Sequence, residues 1–197
     1  MATLHTVRAA VAASALLFAA AAGAQGTNTT APKTASPNAM PTAGATQGSE
    51  LARGDRTFLE NAAQGGHAEI EGSKLANQKS ANADVKAFAS RMIQDHTKVG
   101  DELTSLARSK GYTPPTEPSL VQKGELKALG VLDGSKFDKM YSSRIGVAAH
   151  ENTVKMFREA SQNAKDADVK AFATKQLPAL EQHLQMARDL DKKVGNG

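Results

Sequence analysis

The six residues DVKAFA stand at Asp84–Ala89 and again at Asp168–Ala173. Each copy opens an apolar stripe. After the first come Val85, Phe88, Ala89, Met92, Val99, Leu103 and Leu106; after the second, Val169, Phe172, Ala173, Leu180, Leu184, Ala187 and Leu190. Spacing by threes and fours marks one face of an α-helix. Each copy also has a capping residue ahead of it, Asn82 or Asp166, and an acid in its first turn, Asp84 or Asp168. Those are the residues that satisfy free amides and complement the dipole at a helix start.

The match continues upstream. Counted back from the histidines of GGHAEIEG (65–72) and AAHENTVK (148–155), Asp55 pairs with Asp138 and Phe58 with Tyr141. One extra residue lies between His150 and Val169 compared with His67 and Val85. Cap, stripe and preceding helix in register read as a copied helical hairpin. Helices are expected over about 54–80, 82–110, 135–164 and 167–193, with very short connections inside each pair. Gly111 and Pro114-Pro115 end the second helix, and the long crossover to Ser135 should hold a short helix after Ser119. Two antiparallel hairpins joined by one long crossover make an all-α, ferritin-like four-helix bundle.

The ends of the chain point to export. Arg8 precedes an apolar run from Ala9 to Ala22, and Ala22-Gly23-Ala24 offers a small-residue cleavage site. This is the layout of a signal peptide over 1–24, and the run is short of the roughly 20 residues of a membrane-spanning helix. No later segment is expected to cross a membrane. Residues 25–52, rich in Thr, Ala, Pro and Gly, read as a low-complexity tether. The folded domain is expected over 53–194, with the product in the periplasm or at the cell envelope. The chain has no cysteine, which excludes a lipid anchor on cysteine, disulfides and thiolate metal ligands. Its +4 formal charge is interspersed and its few aromatics lie on apolar faces, against a nucleic-acid partner. A protein partner at the envelope stays open, and nothing in the sequence sets an oligomeric state.

The stretches FLENAAQGGHAEIEGSKLA, VKAFASRMIQDHTKVGDEL, FDKMYSSRIGVAAHENTVKMF and FATKQLPALEQHL together resemble the bacterial exported family called domain of unknown function 4142. The resemblance spans Arg53 to about Lys193. It implies an exported helical bundle of ferritin-like class and implies no activity.

Outside the leader there are four histidines, one in each expected long helix: His67, His96, His150 and His183. His96, His150 and His183 fall within the apolar stripes, near mid-helix. In the first helix the inward line runs Phe58, Ala62, Gly65, Glu69, Gly72, Ala76, which puts Glu69 rather than His67 in the core. Imidazole and carboxylate bind zinc, iron and manganese, and facing helices of a bundle are where such sites are built. Glu69, His96, His150 and His183 are the candidate ligands for one Fe, Mn or Zn ion. Asp95, Glu151 and Glu181, each next to a histidine, and His67 are candidate outer partners. A di-metal centre is disfavoured because the Glu-x-x-His pairs are missing: Ile93 and Leu180 stand where the glutamates belong. The competing reading is a non-enzymatic structural or interaction module whose histidines form a buried polar network. No glycine-rich phosphate loop or nucleophile elbow is present.

Overall fold

The computed structural model describes residues 50–195. The expected signal peptide, and the tether as far as residue 49, lie outside the described residues. Within them run α1 (Arg53–Lys79), α2 (Ala83–Ser109), α3 (Leu120–Gly130), α4 (Gly134–Met140), a π-helical stretch (Tyr141–Ala148), α5 (Ala149–Asn163) and α6 (Ala167–Gly195). There is no strand among the described residues, and no helix there is long and apolar enough to cross a membrane. α1 packs along α2 and α5 along α6; α2 also meets α6 and α1 meets α5. The rods therefore close a four-helix bundle in the order α1, α2, α6, α5, with the crossover helix α3 against α1.

Local chemistry sets the helix starts. Asn82 Oδ1 accepts from the amides of Asp84 (2.9 Å) and Val85 (3.3 Å). Asp166 Oδ1 accepts from those of Asp168 (2.9 Å) and Val169 (3.1 Å), so the two DVKAFA segments begin with the same cap. Ser119 and Gln122 form a reciprocal capping box that starts α3. The upstream pairs behave less alike. Asp55 is buried and accepts from the amides of Lys165 (3.1 Å) and Asp166 (2.7 Å), tying the start of α1 to the α5–α6 turn. Asp138 is also buried, yet its Oδ1 has no partner.

The core falls into two apolar clusters. One is built on Phe58, Leu59, Leu103, Phe157, Phe172 and Leu180, with Phe58 edge-on to Phe157 at 5.0 Å between centroids. The other holds Val85, Phe88, Met92, Leu129, Phe137 and Tyr141, the last two rings stacked. Burying each large side chain contributes about 1.5–3 kcal/mol.

Two details depart from the sequence reading. The helix expected unbroken over 135–164 contains the π-helical stretch, where the inward line shifts from Phe137, Tyr141 and Ile145 to Gly146, His150 and Val154. α6 runs through Pro178, whose ring lies on the exposed face. Packing begins at Leu51, which is 6 % exposed and belongs to the first cluster, just ahead of the expected domain boundary. The helix-one glycines divide. A Cβ on Gly72 would meet Ile145 Cγ2 at 3.0 Å, so that glycine permits close packing, whereas Gly65 and Gly66 face open space.

Candidate metal centre

Between the two clusters the lining changes from hydrocarbon to imidazole and carboxylate. Glu69 lies between Ala63 and Ala76, His96 between Met92 and Leu103, and His150 between Ile145 and Val154. His183 sits among Leu180, Leu184 and Ala187. All four polar side chains are at most 3 % exposed. Each rides the apolar stripe of its helix, so the periodicity that buries the core also buries them.

One ring nitrogen from each of His96, His150 and His183 lies within 4.8 Å of the other two. The Nε2 atoms of His96 and His150 are 3.3 Å apart. The remaining nitrogen of every ring lies close to an oxygen of its own. His96 Nδ1 is 2.9 Å from Glu69 Oε2. His150 Nδ1 is 2.8 Å from the Gly146 carbonyl, one turn back. His183 Nε2 is 2.9 Å from Asp95 Oδ2, and Arg91 pairs with Asp95 in turn. This leaves Nε2 of His96, Nε2 of His150 and Nδ1 of His183 without an oxygen partner. His183 Nδ1 is buried with no hydrogen-bond partner.

Glu69 is placed differently from a ligand. It lies against the outer nitrogen of His96, off the line of an aligned hydrogen bond, so that its Oε2 is left without one. Its Oε1 accepts from Thr153 Oγ1 at 3.4 Å and lies 3.7 Å from His150 Nδ1. Asp95 reaches a histidine, though on the neighbouring helix rather than its own. Glu151 and Glu181 point outward and pair with Arg188 (2.8 Å) and Arg158 (2.5 Å). A residue one step from a buried histidine sits about 100° around the helix, which carries these two into solvent. His67 is half-buried on the wall of a cavity and stands apart from the three converging nitrogens. The Gly146 carbonyl and Thr153 were not legible as partners: a carbonyl has no signature in sequence, and Thr153 differs little from other helix-surface residues.

Electrostatics separate the imidazoles. Burial pushes the Glu69 carboxyl up, but the charges of His96 and His150 and the contact with His96 outweigh it and hold it at about 2. Burial pulls His96 down, and the Glu69 carboxylate more than restores it, leaving it raised. His183 is pulled down to about 4 by burial, with Asp95 opposing and repulsion from His96 and His150 adding to the fall. His183 is therefore neutral near pH 7 and able to donate a lone pair.

Residues 39–190 match the family described as "Domain of unknown function (DUF4142)". The chain belongs to this family. A search of curated protein sequences gives no match. Several solved structures share the fold of this DUF4142 protein. A DUF305 fragment from Deinococcus radiodurans is similar with a TM-score of 0.63 at 13 % identity, covering 75 % of this chain and 99 % of that one. A DUF305 protein from Streptomyces coelicolor is similar with a TM-score of 0.61 at 17 % identity, covering 72 % and 92 %. CopM in its Cu(II)-bound form is similar with a TM-score of 0.59 at 16 % identity, covering 71 % and 96 %.

Proposed function

We propose that this protein is an exported helical bundle that binds one transition-metal ion through His96, His150 and His183. The observation that carries the reading is the division of labour within each ring. One nitrogen turns toward the other histidines while the second is engaged by Glu69, by the Gly146 carbonyl or by Asp95. Metal-bound histidines are held in this way, because the outer acceptor fixes the tautomer and raises ligand basicity. Distance agrees. Two nitrogens bound tetrahedrally at 2.0–2.1 Å from zinc are about 3.3 Å apart, and the His96 and His150 Nε2 atoms are separated by 3.3 Å.

Three imidazole ligands suit zinc, copper, iron or nickel, and a site without a converging carboxylate disfavours manganese. CopM, whose fold is similar, is described in a Cu(II)-bound form, which adds copper to the metals to be tested. The bound ion would supply Lewis acidity or a storage site, while the chain supplies a water-poor pocket and fixed ligand directions. The signal-like leader supports placement in the periplasm or envelope, where such an ion would be met.

The structural-network reading rests on the same 3.3 Å contact taken as an imidazole–imidazole hydrogen bond. Elemental analysis of untagged protein, purified without chelator, separates the two. The metal reading expects near-stoichiometric zinc, copper or iron, lost in a folded His96→Ala/His150→Ala variant. No metal after purification, together with no uptake on titration with Zn2+ or Cu2+, would leave only the network.

A further inference from the structure

A cavity of about 150 Å3 opens between α1 and α2 and reaches His96, one of the three histidines. Its buried end is formed by His96 and Glu69, and its outer end by half-buried His67 with exposed Thr97 and Asp101. Gly66 also lines it, and a Cβ at that position would meet nothing within 4 Å. The Glu69 carboxylate at its floor is 2 % exposed and keeps Oε2 free of any hydrogen bond. A second cavity of about 400 Å3 touches Glu69 from the α3 and α5 side; it is lined by both Arg144 and Glu125 and contains no histidine. A cation approaching that way passes a guanidinium and finds no imidazole to bind it. Through the α1–α2 cavity it meets, in turn, a carboxylate, an imidazole and a buried carboxylate.

We propose that the α1–α2 cavity is the route by which the metal ion reaches the three histidines, with His67 as the capturing ligand and Glu69 as the relay between them. The proposal rests on the three-histidine reading above. A divalent cation enters a bundle core only if each shed water is replaced by a protein ligand, since an unpaired charge in low dielectric is strongly disfavoured. His67, two residues before Glu69 on α1, provides the first such ligand, and the Glu69 carboxylate, 2.9 Å from His96 Nδ1, provides the next. Gly66 then serves to keep the wall of the route low.

The test is stopped-flow uptake of Cu2+ by the metal-free protein, followed by visible absorbance, with release to a chelator measured separately. His67→Ala should slow uptake and release together by about tenfold, the lower end of what a focused approach adds to an on-rate. Gly66→Leu places a side chain in the empty space without a backbone clash and should slow both in the same sense. Melting curves confirm that each variant is folded, and His67→Ala decides alone if Gly66→Leu is not. Wild-type uptake and release rates in His67→Ala would overturn the route and leave the three-histidine site standing. A wild-type protein that takes up neither Cu2+ nor Zn2+ at equilibrium would remove the site and the route together.

Discussion

Nδ1 of His96 and Oε2 of Glu69 lie 2.9 Å apart across the α1–α2 interface, with both side chains 3 % exposed. This contact fixes which face of the His96 ring is left to bind a metal. Glu69→Gln keeps the shape and removes the charge. It should weaken metal affinity by about 10–100-fold, the usual effect of losing an outer partner. Competition against a chelator of known affinity measures it, and an unchanged affinity would show that Glu69 does not tune the site.

Stability of the metal-free protein should peak near pH 6.5. His183 is lowered to about 4 from an ordinary 6.5. Between those values the unfolded chain carries the proton and the folded one does not, so stability falls on acidification. Glu69, held at about 2 from an ordinary 4.5, adds a contribution present above 4.5 and lost as pH falls toward 2. His96 is raised, so its contribution is complete below 6.5 and is lost as pH rises through its folded value. Melting temperatures from pH 4 to 9 check the shape, and His183→Asn should flatten the acid side only.

Asp55 joins the start of α1 to the far hairpin turn through the amides of Lys165 and Asp166. Asp55→Ala leaves those amides without an acceptor in a part-buried position. A loss of about 2–3 kcal/mol is expected in urea denaturation, from hydrogen bonds to a charged group. A loss under about 0.5 kcal/mol, the range of a neutral surface change, would show that the turn holds itself.

Two glycines of α1 should respond with opposite signs. Gly72→Val forces a branched side chain into Ile145, where a bare Cβ already sits 3.0 Å from Cγ2, and should destabilise by about 1–3 kcal/mol. Gly65→Ala enters open space and should stabilise by up to about 1 kcal/mol through helix propensity. Equal effects at both sites would contradict the packing described here.

The apolar periodicity that buries Val85, Phe88 and Met92 also buries His96, which is why the bundle and three of its polar core residues were readable from the chain alone. Caps were readable too, because Asn82 and Asp166 act on amides two and three residues away. What escaped was set by contacts between helices. Asp95 serves His183, which is 88 positions distant, and adjacency to His96 says nothing of that. Glu69 was read as a ligand because it is inward; only the relative rotation of α1 and α2 shows that it meets the outer nitrogen of His96. The π-helical stretch was invisible because Val147, His150 and Val154 fit a helical period locally, while the break in phase lies one turn earlier.

That stretch makes the position of His150 a matter of counting. The inward line passes from Tyr141 to Gly146, a step of five residues, before resuming by fours at His150 and Val154. If Tyr141–Ala148 rewound to ordinary α-helix with all of its residues kept, everything beyond it would turn by about 100° relative to its neighbours. The chemistry of every side chain would survive, but the imidazole of His150 would no longer meet the other two. A relative of this chain with ordinary winding in this segment would thus keep the centre only if it were one residue shorter there.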